Sequence, residues 1–203
     1  KLLQVSQGVS VSALELLEAS AQRKEAGVKA ALADFENFQS QSKEKLTHWL
    51  PALEGGDAEN GFALYQALAV AQCMRCHKAT TKASQGAHIV EGEAGPNLAG
   101  VAKRGDRRYL LESIVFSNAK VVSGYGITSL ELINGVNLVG TLIEEKPEYV
   151  DINSSGNLWR ISRTDIKSMT PPVSGMPVFD GLLKPAEVRD LVAWLATLDN
   201  SPT

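Results

Sequence analysis

The sequence predicts a mainly α-helical protein with a small antiparallel β region in its second half. Apolar residues recur at helical spacing within residues 1–55, and similar stripes precede residue 72, follow residue 106 and follow residue 185. Between residues 128 and 162, short segments rich in β-branched residues are separated by turn residues. These two patterns divide the chain into a helical frame and a β-rich insertion.

Residues 1–55 are interpreted as an N-terminal helical extension. Ser10 and Ser12 are candidate N-caps, and Glu15 three positions after Ser12 fits a capping box. Gly27 is a candidate break within the helical pattern, because glycine is a poor helix former. A Gly-Gly-Asp run at residues 55–57 ends the segment, so residues 56–203 form the second predicted unit.

The β-rich part of the second unit is predicted to be a sheet of three or four antiparallel strands. Turn signals occur at Asn134-Gly135 and at Ser155-Gly156-Asn157. The expected strands cover residues 128–133, 138–144, 149–151 and 158–162, within an insertion at about residues 121–167.

Composition excludes two functional classes. The 203 residues carry a net charge of -3, without the basic excess that nucleic-acid binding needs. No apolar run approaches the roughly 20 residues that span a bilayer. The chain begins with Lys1, and we interpret it as a mature or excised fragment from which a targeting segment has been removed.

The chemistry of the chain is concentrated at Cys73, Cys76 and His77. Cys-x-x-Cys-His is the attachment motif of haem c, in which both thiols bond the porphyrin edge and the histidine ligates iron. Zinc binding is the weaker alternative, because zinc normally takes four ligands and no second cysteine pair exists. A redox dithiol would need a βαβ context, and a disulfide closing so short a loop would add little stability.

Met176 is the preferred sixth ligand of such an iron. It lies between Gly175 and Pro177 in an extended segment that can bring a thioether over a porphyrin. A His/Met pair raises the reduction potential and leaves no position for a substrate, which favours electron transfer. The alternatives are core packing of this methionine, an open position, Met169, His48 or His88.

With these motifs in order, residues 55–200 resemble class I cytochrome c domains. The shared pattern comprises Gly61-x-x-x-Tyr65, the cysteine motif, Gly95-Pro96-Asn97-Leu98, Gly175-Met176-Pro177 and Val192-x-Trp194-Leu195. The resemblance implies a helical cytochrome c fold around one covalent haem, with Gly61 permitting the first and last helices to cross. It also implies that the Pro96 carbonyl accepts the Nδ1 proton of His77 and that Leu98 packs on the haem.

The β-rich insertion is unusual for that family. This layout is similar to the haem-binding domain at the C-terminal end of large planctomycete and verrucomicrobial proteins. The similar motifs include Arg104-Gly-Asp106, Ser123-Gly-Tyr125 and Ile161-x-Arg163. This resemblance implies a redox partner protein or a fused dehydrogenase domain, and a periplasmic or otherwise extracytoplasmic location. Residues 1–55 would then be the tail of a preceding helical region.

Two further residues have a cofactor interpretation beside a structural one. Arg104 is a candidate partner of a haem propionate or a solvated loop charge, and Tyr125 touches the haem or packs on the sheet. Similarly, a basic cluster is either a docking patch for an acidic partner or a solvated helix start; it comprises Lys103, Arg104, Arg107 and Arg108.

The leading functional hypothesis is therefore an electron carrier with one haem c, which is not itself an enzyme. The alternative is a gas-sensing or enzymatic haem whose distal ligand can be displaced. A third class is a docking or structural module, in which the extension and the insertion bind a partner or a second copy in a homo-oligomer.

Overall fold

The computed structural model describes residues 13–79 and 92–199, of which 41% are helical and 19% are in strands. Ser10, Ser12 and His88 lie outside the described residues. The α-helices are α1 (Ala13–Ala21), α2 (Ala26–Gln41), α3 (Ala58–Ala67), α4 (Arg107–Val115) and α5 (Pro185–Leu195). Shorter 3-10 helices occupy Lys45–Ala52, Cys73–Arg75, Val101–Lys103 and Arg163–Asp165.

Helix α3 begins where its sequence supplies a cap. The Asp57 carboxylate accepts the backbone N–H groups of Glu59 (2.9 Å) and Asn60 (3.1 Å), which have no partner within the helix. Helix α5 begins at Pro185, which needs no backbone N–H in the first turn. Both helix starts are therefore encoded locally.

Helices α3 and α5 cross in close contact at Gly61. A Cβ at this position would overlap the carbonyl oxygen of Asp190 and lie 2.8 Å from the Cβ of Trp194. Beside the crossing, the rings of Tyr65 and Trp194 pack with centroids 4.6 Å apart. Helices α3 and α5 both belong to the main core, to which α4 and the Lys45–Ala52 helix also contribute.

The second half of the chain contains six strands: β1 (Gly126–Leu132), β2 (Asn137–Glu145), β3 (Tyr149–Ser154), β4 (Asn157–Ser162), β5 (Ile166–Met169) and β6 (Val173–Ser174). They form one antiparallel sheet ordered β4-β3-β2-β1-β5, with the short β6 also paired with β1. Leu130, Val150 and Ile152 are fully buried on one face and make a second core, separate from that of the helices.

The predicted fold class is wrong. The chain is not a mainly α, helical cytochrome c fold with a small β insertion, because a six-stranded antiparallel sheet with its own core occupies its second half. The sequence expectation of three or four strands missed β5 and β6. They span four and two residues, too short for an alternating pattern to be recognised.

The N-terminal segment joins the main core through the Lys45–Ala52 helix. Helix α2 buries none of its residues fully, whereas the following 3-10 helix buries Leu46 and Trp49. The Trp49 indole N–H donates to the Asp180 carboxylate (2.8 Å), which fastens this segment to the chain preceding α5. None of the described helices is long and apolar enough to cross a membrane.

Candidate functional site

A cavity of about 500 Å³ lies between the helical core and the start of the sheet. This volume is within the range of about 300–1,000 Å³ typical of small-molecule and cofactor sites. The structure brings to this one cavity the eight residues that the sequence favoured for cofactor binding: Cys73, Cys76, His77, Pro96, Leu98, Arg104, Tyr125 and Met176.

The two cysteines lie at either end of a 3-10 turn. Gln72 enters the turn with a left-handed backbone (φ 47°), and the N–H groups of Cys76 and His77 both donate to the Cys73 carbonyl. Both thiols are free; Cys73 is half-buried and Cys76 is exposed. Burial raises the pKa of the Cys73 thiol, partly opposed by a backbone hydrogen bond, and the neighbouring Cys76 raises it further. Neither thiol is therefore in a disulfide, and both are at least partly accessible to solvent.

The imidazole of His77 is oriented by the loop that passes the cavity. Its Nδ1 lies 2.8 Å from the carbonyl oxygen of Pro96, and because a carbonyl only accepts, Nδ1 carries the proton. Nε2 is then the unprotonated nitrogen, as a metal ligand requires. Burial lowers the pKa of His77, and the Arg104 charge lowers it further, while the Pro96 contact opposes both. The neutral form of the ring is therefore favoured.

Two neighbours restrict the His77 ring and backbone. A Cβ on Gly95 would lie 2.5 Å from Cε1 of the ring, so only glycine permits this close approach. On the other side of the residue, the Tyr65 hydroxyl donates to the His77 carbonyl (2.7 Å). The Gly95 N–H also donates to the Cys76 carbonyl (2.7 Å), which ties the loop to the cysteine turn.

Met176 comes to the cavity from the segment between β6 and α5. It is half-buried and packs against the main core. Met169, by contrast, lies in β5 opposite Leu130 and packs against the core of the sheet. His48 is exposed in the Lys45–Ala52 helix. Of the two methionines weighed as distal ligands, only Met176 lines the cavity.

Leu98, Arg104 and Tyr125 form other parts of the cavity wall. Leu98 is half-buried against the main core. Arg104 is exposed and donates to the carbonyl oxygens of Asn97 and Ala99, so its charge stands at the edge of the cavity. Tyr125 is half-buried and follows Gly124, whose φ of 84° turns the chain towards β1. A group in the cavity could therefore contact an apolar side chain at Leu98, a cation at Arg104 and an aromatic ring at Tyr125.

Two arginines of the basic cluster that suggested a docking patch make hydrogen bonds or ion pairs within the chain. Arg107 donates to the carbonyl oxygens of Leu53 (2.6 Å) and Gly55 (2.8 Å), and Arg108 pairs with Glu44. These arginines fasten the N-terminal segment to α4. The hypothesis of a free docking patch is therefore not supported at Arg107 and Arg108.

Several cavity residues had no recognisable signal in the sequence. Ile127 and Thr141, on neighbouring strands of the sheet, line the cavity, as do Ser117 and Lys120 after α4. A serine or lysine after a helix is ordinary in a sequence, and the strand residues approach the helices only through the tertiary fold.

Comparisons with known proteins add little to this picture. No protein-family model matches the chain, and no curated protein matches it. A solved structure of the pleiotropic translational regulator Hfq is similar over 31% of this chain and 93% of that chain, with 21% identity and a TM-score of 0.22. At that TM-score the match indicates neither a common fold nor a common function.

The expectation of a metal-binding centre needs correction. Within residues 13–79 and 92–199, no three His, Cys, Asp or Glu side chains gather in a group that could hold a metal ion. The prediction of a metal-binding protein is therefore wrong as far as it concerns a group of such side chains in this part of the chain. The zinc alternative fails with it, since zinc normally needs three or four protein ligands.

Proposed function

We propose that this chain carries one haem bonded covalently to Cys73 and Cys76, and that it transfers single electrons between redox partners. The observation that supports the proposal is the convergence of the cysteine turn, His77 and Met176 on one cavity. His77 and Met176 would be the two protein ligands of the haem iron, whose other four ligands belong to the porphyrin. This ligand set does not require a cluster of side chains.

The residues present fit such a group. Two free thiols three residues apart are available for the porphyrin edge, and the glycine at position 95 leaves room for the His77 ring. The cavity wall is mainly apolar, with Leu98 among its residues, and Arg104 supplies a cation at its edge for a propionate. Tyr125 would contact the same group from the start of the sheet.

When bound, the haem supplies an iron that changes oxidation state by one electron. The chain's own residues hold the surroundings constant during that change. Pro96 fixes the ring orientation and tautomer of His77, and Tyr65 fixes its backbone. The Met176 backbone is likewise hydrogen-bonded to Ser117 and Ser174. Because both ligand-bearing segments are held in this way, little rearrangement accompanies electron transfer. With His77 and Met176 as its two protein ligands, the iron would have no coordination position left for a substrate. This favours an electron carrier over an enzyme.

The proposal extends to the cellular context. An electron carrier needs a donor and an acceptor, so the partner is another redox protein or a dehydrogenase domain fused to this chain. Thioether formation requires reduced thiols and a dedicated ligation system, which in bacteria operates outside the cytoplasm. We therefore place the protein in the periplasm or an equivalent compartment.

The proposal is tested by exporting the chain in a host that ligates haem c. We expect the chain mass to rise by that of one haem, with the pigment retained after denaturation and lost in the Cys73→Ala, Cys76→Ala double variant. Spectroscopic redox titration of the wild type should show reversible one-electron reduction. A protein that acquires no covalent haem under these conditions contradicts the proposal.

The distal ligand separates the carrier from a sensing or enzymatic haem. Met176→Leu should lower the reduction potential and allow carbon monoxide to bind the reduced protein rapidly. Met169→Leu is the matched control, because that methionine packs in the sheet core, and it should leave both properties unchanged. Rapid carbon monoxide binding by the wild type would favour the sensing alternative instead.

A further inference from the structure

The residues directly after α4 hold the segment that carries Met176. The Ser117 hydroxyl donates to the Met176 carbonyl oxygen (2.8 Å), and the Asn118 side-chain oxygen accepts the Ser174 N–H (2.8 Å). Ser117 is only 6% exposed, so its hydroxyl has little access to water. Ser117 and Asn118 thus bind Met176 and Ser174, respectively, and hold the later segment against the residues that follow α4.

A second hydrogen bond restrains the other peptide group of Met176. Its N–H donates to the Ser174 hydroxyl (3.1 Å). Ser174 itself belongs to β6, where it pairs with Gly126 of β1. The backbone on both sides of the Met176 Cα is therefore tied, once to the helical body and once to the sheet.

We infer that Ser117 and Ser174 are positioning residues that hold the Met176 thioether in the cavity, and that the sheet takes part in this through β6. The inference rests on the proposed function, since it concerns the residue proposed as distal ligand. It assigns the β-rich region a role in setting how readily that ligand leaves.

The energetic argument concerns the open state of the Met176 segment. An external ligand binds at the distal position only in molecules whose methionine has moved away, so its apparent affinity follows the open fraction. Removing the hydrogen bond that Ser117 or Ser174 makes to the Met176 backbone destabilises the closed state, because that backbone group loses its partner. Loss of about 1.4 kcal/mol corresponds to a tenfold larger open fraction and tenfold tighter apparent binding.

The test is a titration of the oxidised haem protein with imidazole, followed by absorption spectroscopy. We expect Ser117→Ala and Ser174→Ala each to bind imidazole about tenfold more tightly than the wild type. Ser117→Thr keeps the hydroxyl and should restore most of the wild-type affinity. Two variants on opposite sides of the methionine keep the test informative if one of them folds poorly.

Thr47→Val is the matched control for a lost buried hydroxyl. Thr47 is 7% exposed and its hydroxyl lies 2.8 Å from that of Ser42, away from the cavity. It should reduce thermal stability without changing imidazole affinity. The inference is overturned if the serine variants bind imidazole no more tightly than Thr47→Val does. If Met176→Leu also leaves imidazole affinity at the wild-type value, the proposed distal ligand itself is wrong, and the inference fails with it.

Discussion

The Nδ1 atom of His77 lies 2.8 Å from the carbonyl oxygen of Pro96, nineteen residues further along the chain. This contact joins the cysteine turn to the returning loop and determines which ring nitrogen is free. Gly95 makes it possible, because the backbone passes the ring too closely for any side chain there. The orientation of the histidine thus depends on the absence of a side chain at position 95.

Gly95→Ala should therefore disturb His77 without unfolding the protein. The added Cβ would meet the ring at 2.5–3.0 Å, so either the ring or the loop must move. We expect a lower yield of protein with an intact His77 ligand, detected by resonance Raman or NMR of the haem-loaded chain. Thermal unfolding of the same variant checks that the change is local. A wild-type histidine signature would show that the loop accommodates the methyl group freely.

Tyr65 gives a second prediction, about the backbone of His77. Its hydroxyl donates to the His77 carbonyl (2.7 Å), and its side chain is 1% exposed. Tyr65→Phe should lower the free energy of unfolding by about 1–2 kcal/mol, because the carbonyl loses a partner in a buried place. Urea denaturation measures this difference.

Tyr149→Phe is the control for the loss of a phenolic hydroxyl. The Tyr149 hydroxyl donates to Glu144 (2.8 Å) on the sheet surface, where water can replace it. We expect a change below about 0.5 kcal/mol. Equal losses in the two variants would mean that the Tyr65 contact stabilises no more than a surface bond.

The sequence predicted local features better than long-range ones. The apolar stripes before residue 72 and after residues 106 and 185 depend on residues within a few positions of each other, and α3, α4 and α5 lie there. The turn signals at Asn134-Gly135 and Ser155-Gly156-Asn157 are equally local, and they join β1 to β2 and β3 to β4. The six-stranded sheet was underestimated because β5 and β6 pair with β1 through contacts far apart in sequence. For the same reason the hydrogen bond from Ser117 to Met176, which spans 59 positions, had no signal in the sequence.

Gly61 and Gly27 give opposite expectations for the same substitution. Gly61→Ala places a methyl group against the Asp190 carbonyl and Trp194, so α3 and α5 must separate, and we expect a loss of about 3 kcal/mol or more. At Gly27, in α2, an added Cβ meets nothing within 4 Å. Gly27→Ala should stabilise by up to about 1 kcal/mol, because alanine is the better helix former. Chemical denaturation distinguishes the two, and a tolerated Gly61→Ala would contradict the close crossing.

Asp190 predicts how stability falls in acid. Its buried carboxylate accepts the Asp57 N–H (3.0 Å), the Asn60 amide (2.7 Å) and the Arg189 guanidinium (3.1 Å). Burial acts to raise the pKa of Asp190, but these donors outweigh it and hold the pKa below its usual value of 3.8. The folded state therefore favours the ionised form, and its contribution is complete above pH 3.8 and lost as the pH falls through the lower folded value.

Asp190→Asn should accordingly cost about 2 kcal/mol at pH 7, because an amide replaces a charged acceptor of three donors. The difference from the wild type should shrink as the pH falls below 3.8, when the wild-type carboxylate also becomes neutral. Urea unfolding at a series of pH values from 7 to the acid limit measures this convergence. Asp34→Asn, at an exposed position on α2, should match the wild type throughout. A gap between Asp190→Asn and the wild type that stays constant with pH would show that packing, and not the charge of Asp190, joins α3 to α5.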